Sequence, residues 1–236
     1  MKKFVTAGLG TAVLAASASA DITGAYVVSY EVTAEDFGGA SITVNVQDLY
    51  LSSNDTADTA LNVYNLMLNE QSQISYFQSA TSTGWLAQNA GGIFDNAALQ
   101  QADSFVTIGG MDQDTLTPAQ SPGAGSGSGL DPNFGGNNAA FPGENAGWYN
   151  GSPPSLNGQV GQVAERSGQA FGLGVMVGRF ATTEFKDLSF TTLEVTWNEG
   201  LGTPGQQGEF IVNVPAPGAV ALLGLAGLVG GGRRRG

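Results

Sequence analysis

Asp112-Gln113-Asp114, with Asp103 upstream and Asp131 in the following loop, offers this chain its clearest chance of ion chemistry. Alternating carboxylates in a loop can turn their oxygens toward one point, and Ca2+ takes about six to eight oxygen ligands. The segment has neither the central glycine nor the distal glutamate of an EF-hand loop, and solvated acids in a turn are the plain alternative. Asn54-Asp55-Thr56-Ala57-Asp58 is a second, sparser group of the same kind. Apart from calcium at such acids, no cofactor is expected.

Aromatic rings suggest a different chemistry. Trp148 and Tyr149 stand in a Gly/Asn/Pro-rich loop near Asn145 and Asn150, and rings flanked by amides can stack on and hydrogen-bond a sugar. Trp197 fits a core pattern, and Trp85 suits either role. Hydrolysis of a glycoside would require two carboxylates across one cleft. Twenty acidic residues supply many pairs, and spacing selects none. The chain has no histidine and no cysteine, which removes Ser-His-Asp and Cys-His nucleophiles, Cys/His zinc sites and disulfides. No phosphate-binding Gly-x-x-x-x-Gly-Lys-Ser/Thr loop occurs. The expectation is therefore no enzyme and no catalytic residue.

Charge narrows the partners. All twenty acidic residues fall between Asp21 and Val214, against only Arg166, Arg179 and Lys186, a formal charge of −17 for that span. Phosphate-rich ligands need Lys and Arg, so nucleic acid is not expected as a partner.

These groups must be positioned by strands. Tyr26 to Val32, Ser41 to Tyr50 and Leu193 to Trp197 place apolar residues at alternate positions, the pattern of half-buried strands. Further strands are read at 60–68, 74–80, 104–108, 170–180, 188–197 and 209–214, with a turn at Asn54–Asp58. No amphipathic helix stands out. Residues 118–162 are rich in Gly, Pro, Ser and Asn and read as long loops rather than a free linker, because Phe134, Phe141, Trp148 and Tyr149 recur through them. The expected fold is all-β, an antiparallel β-sandwich of jelly-roll-like form, as one domain over 21–214.

The two ends read as addresses. Lys2-Lys3, an apolar run from Phe4 to Ala16 and Ala18-Ser19-Ala20 follow the order of a secretory signal peptide (residues 1–20), cut by leader peptidase before Asp21. As a helix the run spans about 20 Å, short of the roughly 30 Å hydrocarbon core. At the far end, 215–236 comprises Pro215-Ala216-Pro217, an apolar span from Gly218 to Gly232, and Arg233-Arg234-Arg235. That span covers about 22 Å, and its Val and Leu residues supply only roughly −2 to −4 kcal/mol for insertion. The arginines would stay on the cytoplasmic side. A weak, oriented insertion suits a transient stop in the inner membrane.

Val214-Pro215-Ala216-Pro217-Gly218, the Ala/Leu/Gly span and the Arg cluster resemble the PEP-CTERM sorting signal of Gram-negative bacteria, with Ala216 where that family typically carries Glu. The resemblance covers about a tenth of the chain. It implies removal of the tail by an exosortase-like enzyme and delivery to the cell surface or an extracellular polysaccharide matrix. A permanent anchor, another tripartite surface signal and a plain disordered tail remain open. The reading is an exported, non-enzymatic structural, adhesive or polysaccharide-associated protein. The alternatives are a secreted carbohydrate-active enzyme and a calcium-dependent lectin-like module.

Overall fold

The computed structural model describes residues 21–35, 38–67, 76–78, 84–86, 96–109, 128–130, 147–151, 158–163, 172–184, 188–200 and 202–213. The expected signal peptide with Ala18 and Ala20, and the tail with Pro215, Ala216, Pro217, Arg233, Arg234 and Arg235, lie outside the described residues.

Among the described residues the chain is all-β apart from one short helix. Its strands are β1 (Ile22–Glu35), β2 (Ser41–Ser53), β3 (Thr59–Met67), β4 (Phe105–Val106), β5 (Ser128–Leu130), β6 (Trp148–Asn150), β7 (Gly161–Gln162), β8 (Leu173–Thr182), β9 (Thr192–Asn198) and β10 (Gly205–Asn213), and α1 covers Ala97–Ala102. They join in one sheet in the order β4-β8-β2-β1-β10-β9-β3-β6-β5, with β7 on β8. The antiparallel expectation needs one correction. β1 and β10 run parallel, through Ala25↔Val212 and Tyr26↔Asn213, so the sheet is mixed.

This short parallel joint separates two halves that share one core. Val27, Leu49, Leu51, Val175 and Val177 from one half pack in the same cluster as Val63, Leu66, Leu193, Val195 and Trp197 from the other. The wall of strands therefore rolls around a common interior. Trp85 and Trp197 both belong to that interior, and Trp85 meets Tyr76 edge-on at 5.4 Å.

The halves differ in what covers their outer faces. In β2, every residue from Val46 to Leu51 is buried, and β8 is buried from Gly174 onward. Strands covered on both faces lose the polar/apolar alternation. The cover is α1, which lays Ala98 and Ala102 with Phe77 against Val32, Val44, Val46 and Ala181, while Phe105 packs with Val28, Tyr50 and Met176. The helix is capped by Asn96, whose Oδ1 accepts from Leu99 N at 2.9 Å and whose Nδ2 donates to Glu35 O. Six residues are too few to show a helical period in sequence. In β9 the alternation persists, with its even-numbered face half exposed, because nothing described covers it.

Two other expectations change. Tyr76–Gln78, inside the strand expected at 74–80, are not strand; Phe77 N donates to Ala181 O, so this piece runs along β8 without a ladder. Within the Gly-rich 118–162 stretch, Ser128–Leu130, Trp148–Asn150 and Gly161–Gln162 are strands of the main sheet.

Gly109 and Gly158 meet where the chain needs left-handed backbone, at φ 68° and 79°. A Cβ on Gly158 would lie 2.4 Å from Ala60 O and 2.7 Å from Ile108 Cγ2. Gly158→Ala is expected to cost about 1–3 kcal/mol through overpacking and strain, read as a lower urea midpoint at unchanged m. An unchanged midpoint would contradict this close approach.

Candidate functional site

A charged cluster lies beneath α1. Arg179 and Asp48 are cross-strand neighbours on β8 and β2. Arg179 Nε donates to Asp48 Oδ1 at 2.7 Å and NH2 to Oδ2 at 3.0 Å, with side-chain exposures of 3% and 2%. Tyr30 Oη donates to the same Oδ2 at 3.0 Å, Arg179 NH1 donates to Gln101 O, and the guanidinium lies 5.3 Å from the Phe105 ring centre. Burial works to lower the guanidinium pKa, but the Asp48 charge, Tyr30 and the hydrogen bonds to Asp48 outweigh it and hold it above its ordinary value. With Arg179 and Asp48 both buried and paired, the cluster ties β1, β2, β8 and α1 together. Sequence reading missed it. The available signal was a lone arginine inside an apolar strand, opposite a strand whose alternation is broken by Asp48.

The other half of the sheet presents an open face. Tyr149 on β6 pairs with Asn62 on β3, Asn62 with Thr196 on β9, and Thr196 with Gln207 on β10. One step along, Glu194 lies opposite Glu209, then Thr192 opposite Ile211. Tyr64 falls in the β3 bulge between Val63 and Asn65 and is 38% exposed, and Tyr149 is 45% exposed. Partial burial, then the charges of Glu194 and Glu209, push the Tyr64 hydroxyl above its usual pKa, so it remains a neutral donor. Gln207 Nε2 donates weakly to Thr196 Oγ1 at 3.5 Å. Phe190, 75% exposed, precedes β9 at φ 64°, a strained setting for an aromatic residue, and its N donates to Val212 O.

The expected glycan pair is split by this arrangement. Trp148 is 1% exposed and its Nε1 donates to Thr107 O at 2.9 Å, so the expectation that it contacts glycan is corrected: neither ring face reaches solvent. Strand alternation is the cause, since neighbouring residues must point to opposite faces. Tyr149 is the residue of the pair on the open side. Of the expected calcium group, only Asp103 lies among the described residues. Asp103 is buried at the C-terminus of α1, while Asp112, Asp114 and Asp131 lie outside the described residues. Among the described residues no three acidic side chains gather at metal-ligand spacing.

The fold thus defines an all-β protein with one covered and one open sheet half. Compared with protein-family models, curated proteins and solved structures, the chain matches none.

Proposed function

We propose that this is an exported, non-enzymatic surface or matrix protein whose open sheet face associates with polysaccharide. The observation that carries this reading is the row formed by Tyr149, Asn62, Thr196 and Gln207, with Tyr64, Glu194 and Glu209 beside it. Two accessible phenol rings offer apolar faces, and the amides, hydroxyls and carboxylates around them match the hydroxyls of a sugar chain. An open strip across several strands suits an extended polymer better than a small molecule, which needs a concave pocket. The paired glutamates and the acidic chain favour neutral or amino sugars and repel polyanions. Two sheet halves facing each other over a shared core are consistent with a sandwich, the finer form of the expected fold.

The tail supplies the delivery half of the proposal, because a PEP-CTERM-like segment of marginal hydrophobicity suits removal by an exosortase-like enzyme after leader-peptidase cleavage. Intact mass of the protein from its native host checks it. A product running from about Asp21 to Val214 is expected, and recovery of the uncut chain would overturn it.

Tyr149→Ala and Tyr64→Ala are each expected to weaken polysaccharide binding at least about tenfold, roughly 1.4 kcal/mol or more, as central aromatics do at interfaces. Affinity electrophoresis against neutral and anionic polysaccharides reads this, with stability measured in parallel. Binding that survives both substitutions would remove the open face as the site. Turnover of the polysaccharide dependent on one acidic pair would instead favour a carbohydrate-active enzyme.

A further inference from the structure

Asp21, the residue that cleavage after Ala20 would leave first, sits in a corner of acids drawn from distant parts of the chain. Asp21 N donates to Asn54 Oδ1 at 2.8 Å and Asn54 N donates to Asp21 O at 3.3 Å, which pins the start of β1 to the β2–β3 turn. In that turn Asp58 is fully buried. Its Oδ1 and Asp21 Oδ1 are buried acceptors that receive no hydrogen bond. Asp58 Oδ2 faces Ser53 Oγ at 2.6 Å, but the same hydroxyl lies 2.8 Å from Asp55 O, so two acceptors compete for its one proton. Burial raises the Asp58 pKa first. The Ser53 hydrogen bond lowers it, and the charges of Asp55, Asp21 and Glu199 raise it, so all three acids act on the buried group. Glu199 is itself held by Gln206 Nε2. Segment 158–163 closes the corner through Gln159, whose Nε2 donates to Thr56 O, and brings no charged residue.

We propose that this corner is the seat of the mature amino terminus: the α-ammonium made at Asp21 by leader cleavage stays on Asn54 Oδ1 and offsets the charges of Asp21 and buried Asp58, so that maturation completes the fold. The inference rests on the reading of residues 1–20 as a leader cut before Asp21.

A peptide N–H at Asp21 has one proton, and Asn54 Oδ1 takes it. Cleavage turns that nitrogen into an ammonium with two further protons and a positive charge, beside carboxylate oxygens that lack donors. In the uncut chain a proton on Asp58 does the same work: Oδ2 then donates to Ser53 Oγ, and the serine proton goes to Asp55 O. After cleavage an ion pair replaces that proton. The ammonium gains carboxylate neighbours on folding, so its pKa rises above the ordinary value of about 7.7–8.0 that it keeps in the unfolded chain. The stability it adds is therefore fully present below about pH 7.7 and is lost as pH rises through the folded value.

Lys186 is the only lysine between Asp21 and Val214, so Lys186→Arg leaves the α-amine as the sole amine of the processed chain. The exported protein carrying it is purified from the native host, its intact mass is read, and it is acetylated with acetic anhydride across about pH 6–10 beside an amidated peptide of residues 21–25. At about pH 7 the α-amine is expected to react roughly three- to tenfold slower than that of the peptide, with its titration midpoint moved up. A merely shielded amine would react slowly at every pH without that move. The acetylated protein is expected to melt about 2–4 °C lower at neutral pH, a difference that closes by about pH 10. Asp58→Asn, which removes the buried charge, is expected to cut that loss to about half or less. A processed chain that begins elsewhere than Asp21 overturns this proposal together with the leader reading. A chain that does begin there overturns this proposal alone if its α-amine titrates with the peptide, if acetylation leaves the melting temperature unchanged, or if Asp58→Asn leaves the acetylation loss intact.

Discussion

Replacing Arg179 with methionine is expected to lower the unfolding free energy by roughly 3–5 kcal/mol, and the melting temperature by about 6–20 °C. The cause is not the loss of attraction as such. A buried ion pair returns little net stability over an apolar pair, since both charges must leave water. Removing one member, however, leaves the other uncompensated, and Asp48 sits in β2 where every neighbour from Val46 to Leu51 is buried. Arg179 also supplies the donors for Asp48 Oδ1 and Gln101 O, which ties α1 to the sheet. The matching double substitution, Asp48→Leu with Arg179→Met, is expected to recover most of the loss, because no orphan charge remains. Urea unfolding of the parent, the single and the double variants forms the test. A single variant within about 1 kcal/mol of the parent would mean that water reaches Asp48, against the burial seen here.

Trp148→Ala is expected to cost about 3–5 kcal/mol, the range for deleting a large aromatic from a core. The ring fills the interior beside Val63 and Val195, and its Nε1 satisfies Thr107 O. Trp148→Phe should retain much of the packing and cost less, roughly 1–3 kcal/mol, mainly through the unsatisfied carbonyl. Tyr149→Ala, one residue on, is expected to change stability by no more than about 0.5 kcal/mol, as surface substitutions do. Adjacent residues thus separate cleanly: thermal or urea unfolding reports Trp148, and polysaccharide binding reports Tyr149. A stable Trp148→Ala protein that has lost sugar binding would restore the indole as a contact and contradict the buried ring.

The consequences reach beyond single residues. Covering one sheet half with α1, Phe77 and Phe105 lets β2 and β8 be buried on both faces, and such strands must resolve any ion inside them. Leaving the other half open keeps amides, hydroxyls, tyrosines and glutamates of β3, β6, β9 and β10 available to a ligand. On the proposed reading, the recognition face lies on the open half and the buried ion pair on the covered one, over a core that both halves share.

Local sequence determined most of the strand content of this protein. Side-chain alternation in β1, β9 and the first half of β2, and the β-leaning Asn62-Val63-Tyr64-Asn65 in β3, are short-range properties, and each strand appears where they place it. The absence of histidine and cysteine likewise removed whole reaction classes before any geometry was known. Tertiary structure alone decided the rest. The parallel β1–β10 joint brings together residues nearly two hundred positions apart, and the ladder that joins them is invisible to any local pattern. The Asp48–Arg179 pair and the inward turn of Trp148 arise the same way. Burial and charge neighbours depend on which distant strands happen to cover a face, whereas the period of a strand depends only on its own backbone.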